Sequence, residues 1–218
     1  MRALAFSGGK DSMACLHLMR DTLDFAIYID TGFTYPETRA IVNYAHTIVP
    51  VRIIESTRPD VIPADLVPVD WTEMGQIFTT KKDVTILPYH ECCFASLAVP
   101  LNTAAAEFGV TELVVGQRNE EGHKSTARDS DMVMGIKRIH PIENWTTAEV
   151  MAYLATKMEI PEHYAIKHSS LDCYDCTAYR KDSRDRIEYT RQKHPVFFSA
   201  YATRKAALDN AISEAMNG

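Results

Sequence analysis

Ser7-Gly8-Gly9-Lys10-Asp11-Ser12 stands between a short apolar run, Ala3 to Phe6, and a segment in which Met13, Leu16 and Met19 recur at three-residue steps. The pattern predicts a strand, a glycine-rich turn and a helix. Glycines let the chain turn tightly, and the N–H groups of a helix start point outward, so the loop is a phosphate cradle. Lys10 is placed to neutralise terminal phosphates, with the Ser7 and Ser12 hydroxyls as further donors. A bare carboxylate repels phosphate, so Asp11 approaches one only through Mg²⁺. Neither the GxxxxGK[ST] spacing of a Walker loop nor a GxGxxG dinucleotide motif is present, and both of those readings are excluded. Arg118, with Glu120 and Glu121 close by in sequence, is a candidate oxyanion contact, which its planar fork suits; the alternative is a surface salt bridge to Glu120 or Glu121. A second chemistry lies in Cys92-Cys93 and Cys173-x-x-Cys176. If folding brings the two pairs together, four thiolates can hold Zn²⁺ or an iron–sulfur cluster. Cys15, beside Leu16, reads as a small core residue. His90 and His168 precede the pairs as neighbours rather than ligands.

The elements that position these groups follow from the same pattern. Phe25 to Asp30 reads as a second strand, ending in Asp30-Thr31-Gly32, and Pro36 opens a helix through about Thr47. Val49 to Glu55 carries the β-branched run of a third strand. Strands alternating with helical patterns predict an α/β fold: an open, parallel, twisted sheet with helices on both faces. Pro59, Pro63 and Pro68 make Ser56 to Asp70 a surface excursion without regular structure, the start of a long loop reaching His90. A helix from about Ser96 to Phe108 should end at Gly109, and Glu112 to Val115 is a further buried strand. Thr146-Thr147-Ala148-Glu149 has capping-box spacing before the apolar stripe Val150, Met151, Leu154 and Met158. The last helix, about Ser199 to Met216, sets Tyr201, Leu208, Ile212 and Met216 on one side. No repeat or linker divides the chain, so we expect one domain over residues 1–218, with residues 161–218 carrying the CxxC pair and a terminal helix.

Composition bounds the function classes. A formal charge of −6 argues against non-specific polyanion binding, although a local basic patch can still meet RNA or DNA. No apolar run approaches the roughly 20 residues that span a bilayer. The glycine loop follows the N-terminus too closely for a signal peptide, so a cytoplasmic location is expected, where cysteines serve metal or redox chemistry rather than structural disulfides.

SGGKDS resembles the PP-loop of ATP pyrophosphatases, which split ATP between its α and β phosphates. Asp30-Thr31-Gly32 followed by Tyr35-Pro36-Glu37-Thr38 is similar to the "DTG…PET" segment of the phosphoadenylyl-sulfate (PAPS) reductase family. Gly116-Gln117-Arg118 with Glu120, Glu121, Lys124 and Ser125 resembles the "GxR…E…S" loop of that superfamily. His140-Pro141-Ile142 with Trp145-Thr146 resembles a further segment of it. The resemblance implies an adenine nucleotide, ATP with Mg²⁺, at the C-terminal edge of the sheet. Ser7, Gly8, Gly9, Lys10, Asp11, Ser12, Asp30, Thr31, Gly32, Gly116 and Arg118 would line it, with Lys10 and Arg118 as catalytic residues.

Cys92-Cys93 followed by Val99-Pro100-Leu101 is similar to the "CC..RK..PL" segment of cluster-bearing adenylyl-sulfate (APS) reductases, with Ala95-Ser96 in the Arg-Lys positions. The resemblance implies a 4Fe-4S cluster on Cys92, Cys93, Cys173 and Cys176, with zinc or oxidation-paired thiols as alternatives. Reductases of the family use a nucleophilic Cys near the C-terminus and have degenerate loops. Here no Cys follows Cys176 and the loop is intact. The expectation is therefore an ATP pyrophosphatase that adenylates an unnamed acceptor in sulfur metabolism or sulfur transfer. The alternatives are a reductase using a partner's thiol and a non-catalytic nucleotide-binding subunit. Relatives of this kind form homo-oligomers or join partner subunits. The basic segment Arg180, Lys181, Arg184, Arg186, Arg191 and Lys193, interleaved with Tyr179, Tyr189 and Phe197, could meet a nucleic acid or a partner protein. Asp182, Asp185 and Glu188 favour an ordinary solvated helix face.

Overall fold

A computed structural model of the chain describes residues 1–64, 86–121, 127–166, 171, 173–178 and 183–217, with side chains to 214. These residues form two compact units. The first comprises Met1–Asp30, Pro36–Ser56 and Val99–Ala165; the second comprises Thr31–Tyr35, Thr57–Ala98 and Ile166–Gly218.

The first unit is built on a six-stranded sheet. Its strands are β1 (Arg2–Phe6), β2 (Phe25–Asp30), β3 (Val51–Glu55), β6 (Glu112–Val115), β7 (Met132–Val133) and β8 (Ile136–Ile139), in the order β3-β2-β1-β6-β8-β7. All pairings are parallel except the β7–β8 hairpin. Successive residues of β1 point to opposite faces, so Leu4 and Phe6 join one apolar cluster and Ala3 joins another. The first cluster is completed by Met13, Ala14 and Leu16 of α1 (Lys10–Met19), by Ile41, Val42 and Ala45 of α2 (Pro36–His46), and by Val150 and Leu154 of α5 (Thr147–Ala155). The second is covered by Ala104 and Ala105 of α4 (Val99–Glu107). Helices on both faces explain why the central strands read as continuous apolar runs.

The expected boundaries hold closely, with instructive departures. Thr146 caps α5 as a true capping box: its hydroxyl accepts from Glu149 N, and Glu149 Oε2 accepts from Thr146 N at 2.7 Å. The helix ahead of Gly109 opens at Val99 rather than Ser96, because Phe94–Ala98 form a π-helical turn. The β7–β8 hairpin was not legible, since Ile136-Lys137-Arg138-Ile139 does not alternate in polarity; its buried positions are taken by Ile136 and Arg138.

The second unit contains a parallel pair, β4 (Ile62–Ala64) and β5 (Ile86–Pro88), and the helices α3 (Tyr89–Cys93), α6 (Arg184–Lys193) and α7 (Pro195–Asn217). The strand at Ile62–Ala64 corrects the expected irregular excursion there, while Ser56 to Asp60 have no regular structure; in the pair of β4 and β5 proline is tolerated at an edge. Pro68 and Asp70 lie outside the described residues. Leu208 of α7 is fully buried against Ala64 and Ile86. Tyr35, also fully buried, shares a 2.6 Å hydrogen bond with the Thr190 hydroxyl, and Tyr174 stacks on Phe197 at 4.1 Å. The terminal helix begins at Pro195, four residues before the expected Ser199, because proline fits a helix's first turn. The side chain of Met216 lies outside the described residues.

Candidate functional site

The chain reverses its strand order at β1. From there β2 lies on one side and β6 on the other, and open α/β sheets bind ligands in the crevice at the C-terminal ends of such strands. The Ser7–Ser12 loop leaves β1 at that point and the Gly116–Arg118 segment leaves β6. Gly9 is the N-cap of α1, in extended conformation, and no side chain caps the helix. The amides of its first turn are thus not taken up by an N-cap side chain.

Three contacts shape the loop. Gly8 has φ +78°, and a Cβ there would meet Thr38 Cγ2 at 2.8 Å. Tyr164, buried, donates its hydroxyl proton to Gly8 O at 2.9 Å. Gly116 presses the end of β6 against α1 so closely that a Cβ would lie 2.8 Å from the Asp11 carbonyl carbon and 2.9 Å from Ser12 N. The two serines act inside the loop: Ser12 Oγ donates to Gly9 O at 2.9 Å, and Ser7 Oγ accepts from Gly9 N and lies 3.2 Å from Ser12 Oγ.

Arg118 is not a surface pair. Its side chain is 4% exposed; Nε donates to Asp11 Oδ1 at 2.7 Å and an Nη donates to Glu120 Oε2 at 3.0 Å. Lys10 Nζ lies 3.2 Å from Asp11 Oδ2. Glu120 also accepts from Thr147 N at 2.9 Å, tying the Arg118 loop to the start of α5. Burial pushes the Glu121 carboxyl up, and the charge of Asp11 adds to the effect. Asp30, at the end of β2, pairs with Arg39 at 3.2 Å. Lys124 and Ser125 lie outside the described residues.

Thr31 and Gly32 belong to the second unit, where the Thr31 hydroxyl and Cys173 Sγ are 3.4 Å apart. All four expected metal-ligand cysteines are in that unit. Cys92 is buried and its thiol is pushed up by burial, against the pull of Arg58, with Cys173 near enough to add to the rise. Cys93 is half-buried. Successive residues of a helix face different ways, so Cys92 and Cys93 of α3 do not present one surface. Among the described residues no group of three or more His, Cys, Asp and Glu side chains is gathered to hold a metal ion. The gathering of four thiols expected from the sequence is thus not seen there. Arg58 forms a bidentate pair with Asp175 at 2.6 and 3.0 Å, both side chains about 5% exposed. Arg204 reaches the same carboxylate at 3.5 Å, and Arg186 donates to the carbonyls of Cys173 and Cys176. Two arginines thus share one carboxylate beside the CxxC segment, and a third, Arg186, holds its backbone. Arg58, Asp175 and Tyr164 had no local sequence signal; their partners are more than a hundred residues away.

Of the basic segment, Arg186 is buried, Arg191 is paired with Glu188 at 2.7 Å, and Arg184 and Lys193 are exposed. Tyr179, Arg180, Lys181 and Asp182 lie outside the described residues, as does His168. No described helix is long and apolar enough to cross a membrane.

The phosphoadenosine phosphosulfate reductase domain family matches residues 2–179. The chain belongs to this family. Its curated relatives include an adenosine 5'-phosphosulfate reductase of Burkholderia cepacia, 32% identical over 98 residues, which are 43% of this chain and 38% of that protein. Another, from Neisseria meningitidis serogroup B, is 28% identical over 76% of this chain and 66% of its own length. The chain therefore spans less than two thirds of these relatives. Among solved structures, the phosphoadenylyl-sulfate reductase of Candida auris superposes with a TM-score of 0.54 at 18% identity, covering 79% of this chain and 80% of that one. The FMN adenylyltransferase of Candida glabrata in complex with ATP superposes with a TM-score of 0.51 at 16% identity, covering 80% and 53%. Both likenesses are of fold. The reductase-family membership and the parallel α/β architecture expected from the sequence are borne out.

Stability at this edge of the sheet should depend on pH. Burial holds the imidazoles of His140 and His163 below their ordinary range, and His140 Nδ1, 4.0 Å from Glu143 Oε1, is buried without a hydrogen-bond partner. The unfolded chain takes up a proton at about pH 6.5 and the folded chain resists it, so this contribution is complete above that pH and is lost as pH falls. Thermal melting of the parent and His140→Gln between about pH 7.5 and 5 should show the smaller acid loss in the variant.

Proposed function

We propose that the chain binds ATP with Mg²⁺ at the C-terminal edge between β1 and β6 and cleaves it between the α and β phosphates, adenylating an acceptor in sulfur metabolism or sulfur transfer. The observation that carries this reading is the intact cradle: an uncapped helix start at the strand-order switch, with Lys10 beside it and Arg118 two residues beyond the Gly116 contact. Amides and Lys10 would hold the β- and γ-phosphates. Arg118 would take charge building on the α-phosphate as an acceptor oxyanion bonds to phosphorus, the bond to the bridging oxygen breaks and pyrophosphate leaves. Asp30 is proposed for the nucleoside side.

Cys92, Cys93, Cys173 and Cys176 are proposed as ligands of a 4Fe-4S cluster, with zinc as the alternative. The support is the donor chemistry: four thiols in one unit, with Arg58, Arg186 and Arg204 beside the CxxC segment. Such a cluster would supply an anionic, redox-capable centre.

The names of the curated relatives favour a second reading, reduction of a sulfonucleotide with a thiol from elsewhere. Anaerobic competition of ATP, APS and PAPS for the freshly prepared protein separates the two, with iron and sulfide assayed on the same sample. ATP should win, and Lys10→Ala should lower ATP affinity by about tenfold or more by removing one charge-assisted contact. APS or PAPS winning while ATP fails to bind would transfer the assignment to the reductase reading.

A further inference from the structure

One carboxylate holds both cations of the phosphate cradle. Asp11 Oδ1 accepts from Arg118 Nε at 2.7 Å while Asp11 Oδ2 lies 3.2 Å from Lys10 Nζ. These are not solvent-screened surface pairs, since the side chains of Arg118, Asp11 and Lys10 are 4%, 18% and 25% exposed. Asp11 is held further by its place in the first turn of α1, where a negative charge is favoured. Glu120 takes the other edge of Arg118, and Glu121 is close enough to feel Asp11, Arg118 and Lys10. Among the described residues the cradle thus sets two cations against three carboxylates. Its amides attract an anion, yet its side chains as they stand do not.

We infer that Asp11 is a resident counter-anion and a specificity-determining residue: a ligand gains Lys10 and Arg118 only by displacing the Asp11 carboxylate, which selects a polyphosphate accompanied by a divalent cation over a singly charged sulfate ester. The inference rests on the nucleotide reading of the same loop. A pyrophosphoryl group carries several charges across the span of both cations, whereas the terminal sulfate of a sulfonucleotide carries one, and a single charge gains little by replacing a carboxylate. The freed carboxylate then stands beside the phosphates, where a cation arriving with them offsets the repulsion. Arg118 can leave Glu120 without stranding it, because Glu120 Oε2 already accepts from Thr147 N at the start of α5. The backbone need not move, as the Gly116 contact holds α1 and β6 together in either arrangement.

Calorimetric titration of inorganic pyrophosphate and of APS into the full chain and Asp11→Asn, with EDTA and with excess Mg²⁺, tests this. The parent should bind pyrophosphate weakly in EDTA and on the order of tenfold tighter with Mg²⁺. Asp11→Asn should bind Mg²⁺-free pyrophosphate on the order of tenfold tighter than the parent, lose most of the Mg²⁺ gain and bind APS more tightly. Weaker or unchanged Mg²⁺-free binding in that variant overturns the inference. Should Asp11→Asn melt too low to assay, Glu120→Gln, half-exposed and also on Arg118, decides it: Mg²⁺-free binding tightened by about two- to threefold supports displacement, and none overturns it. A parent that binds neither pyrophosphate nor ATP under any condition defeats the nucleotide reading itself, a result distinct from a parent that binds and a variant that does not differ.

Discussion

Gly116→Ala is expected to weaken pyrophosphate and ATP binding by about a hundredfold and to lower thermal stability with it. A Cβ at 2.8 Å from one backbone atom and 2.9 Å from another has no side chain to push aside. The strand and the helix must separate, and both are anchored in the core: Val114, Met13 and Ala14 are fully buried. Close-packed interiors resist such shifts, at about 1–3 kcal/mol for an overpacked site. The displacement also moves the leading amides of α1 relative to Arg118, and sub-ångström errors in such groups are amplified in affinity. Titration of pyrophosphate, with melting on the same sample, checks it. Parent-like affinity in Gly116→Ala would show that the cradle does not depend on this approach.

Arg58→Met is the second large effect. It removes the bidentate partner of Asp175, whose side chain is 5% exposed, and leaves that carboxylate with Arg204 at 3.5 Å. Breaking a buried pair costs about 3–5 kcal/mol because a charge is stranded. The loss should appear as a fall of several degrees in the calorimetric melting of the full chain, on the order of 10 °C at most. Asp175→Leu combined with Arg58→Met should recover a large part of it, since neither charge is then stranded. If Arg58→Met alone melts like the parent, Arg204 compensates fully and the pair is not what holds the CxxC segment.

The two effects differ in how far the sequence foretold them. Gly116 was legible as part of a motif beside Arg118, though not as the residue that lets β6 touch α1. Nothing local marked Arg58 and Asp175, which stand 117 positions apart. The central strands were legible because burial on both faces demands apolar runs, and the glycines at their ends mark where regular structure stops. The β4–β5 pair was hidden because its prolines carry the signature of a loop, and only the pairing shows strands there. The hairpin of β7 and β8 was hidden because β8 does not alternate in polarity.

The sequence by itself determined the motifs and the frame: a glycine-rich loop ahead of a helix, a lysine inside it, two cysteine pairs and a parallel α/β fold. These are local properties, set by backbone freedom, residue type and the periods of 2 and 3.6 residues. Only the tertiary structure decided which charges meet. It set Asp11 between Lys10 and Arg118, put Glu120 on both Arg118 and the start of α5, and brought Arg58 from far along the chain to Asp175 in the CxxC segment. Ion pairs depend on separation in space, and between residues more than a hundred positions apart that separation is set by strand order and packing, which no local pattern encodes.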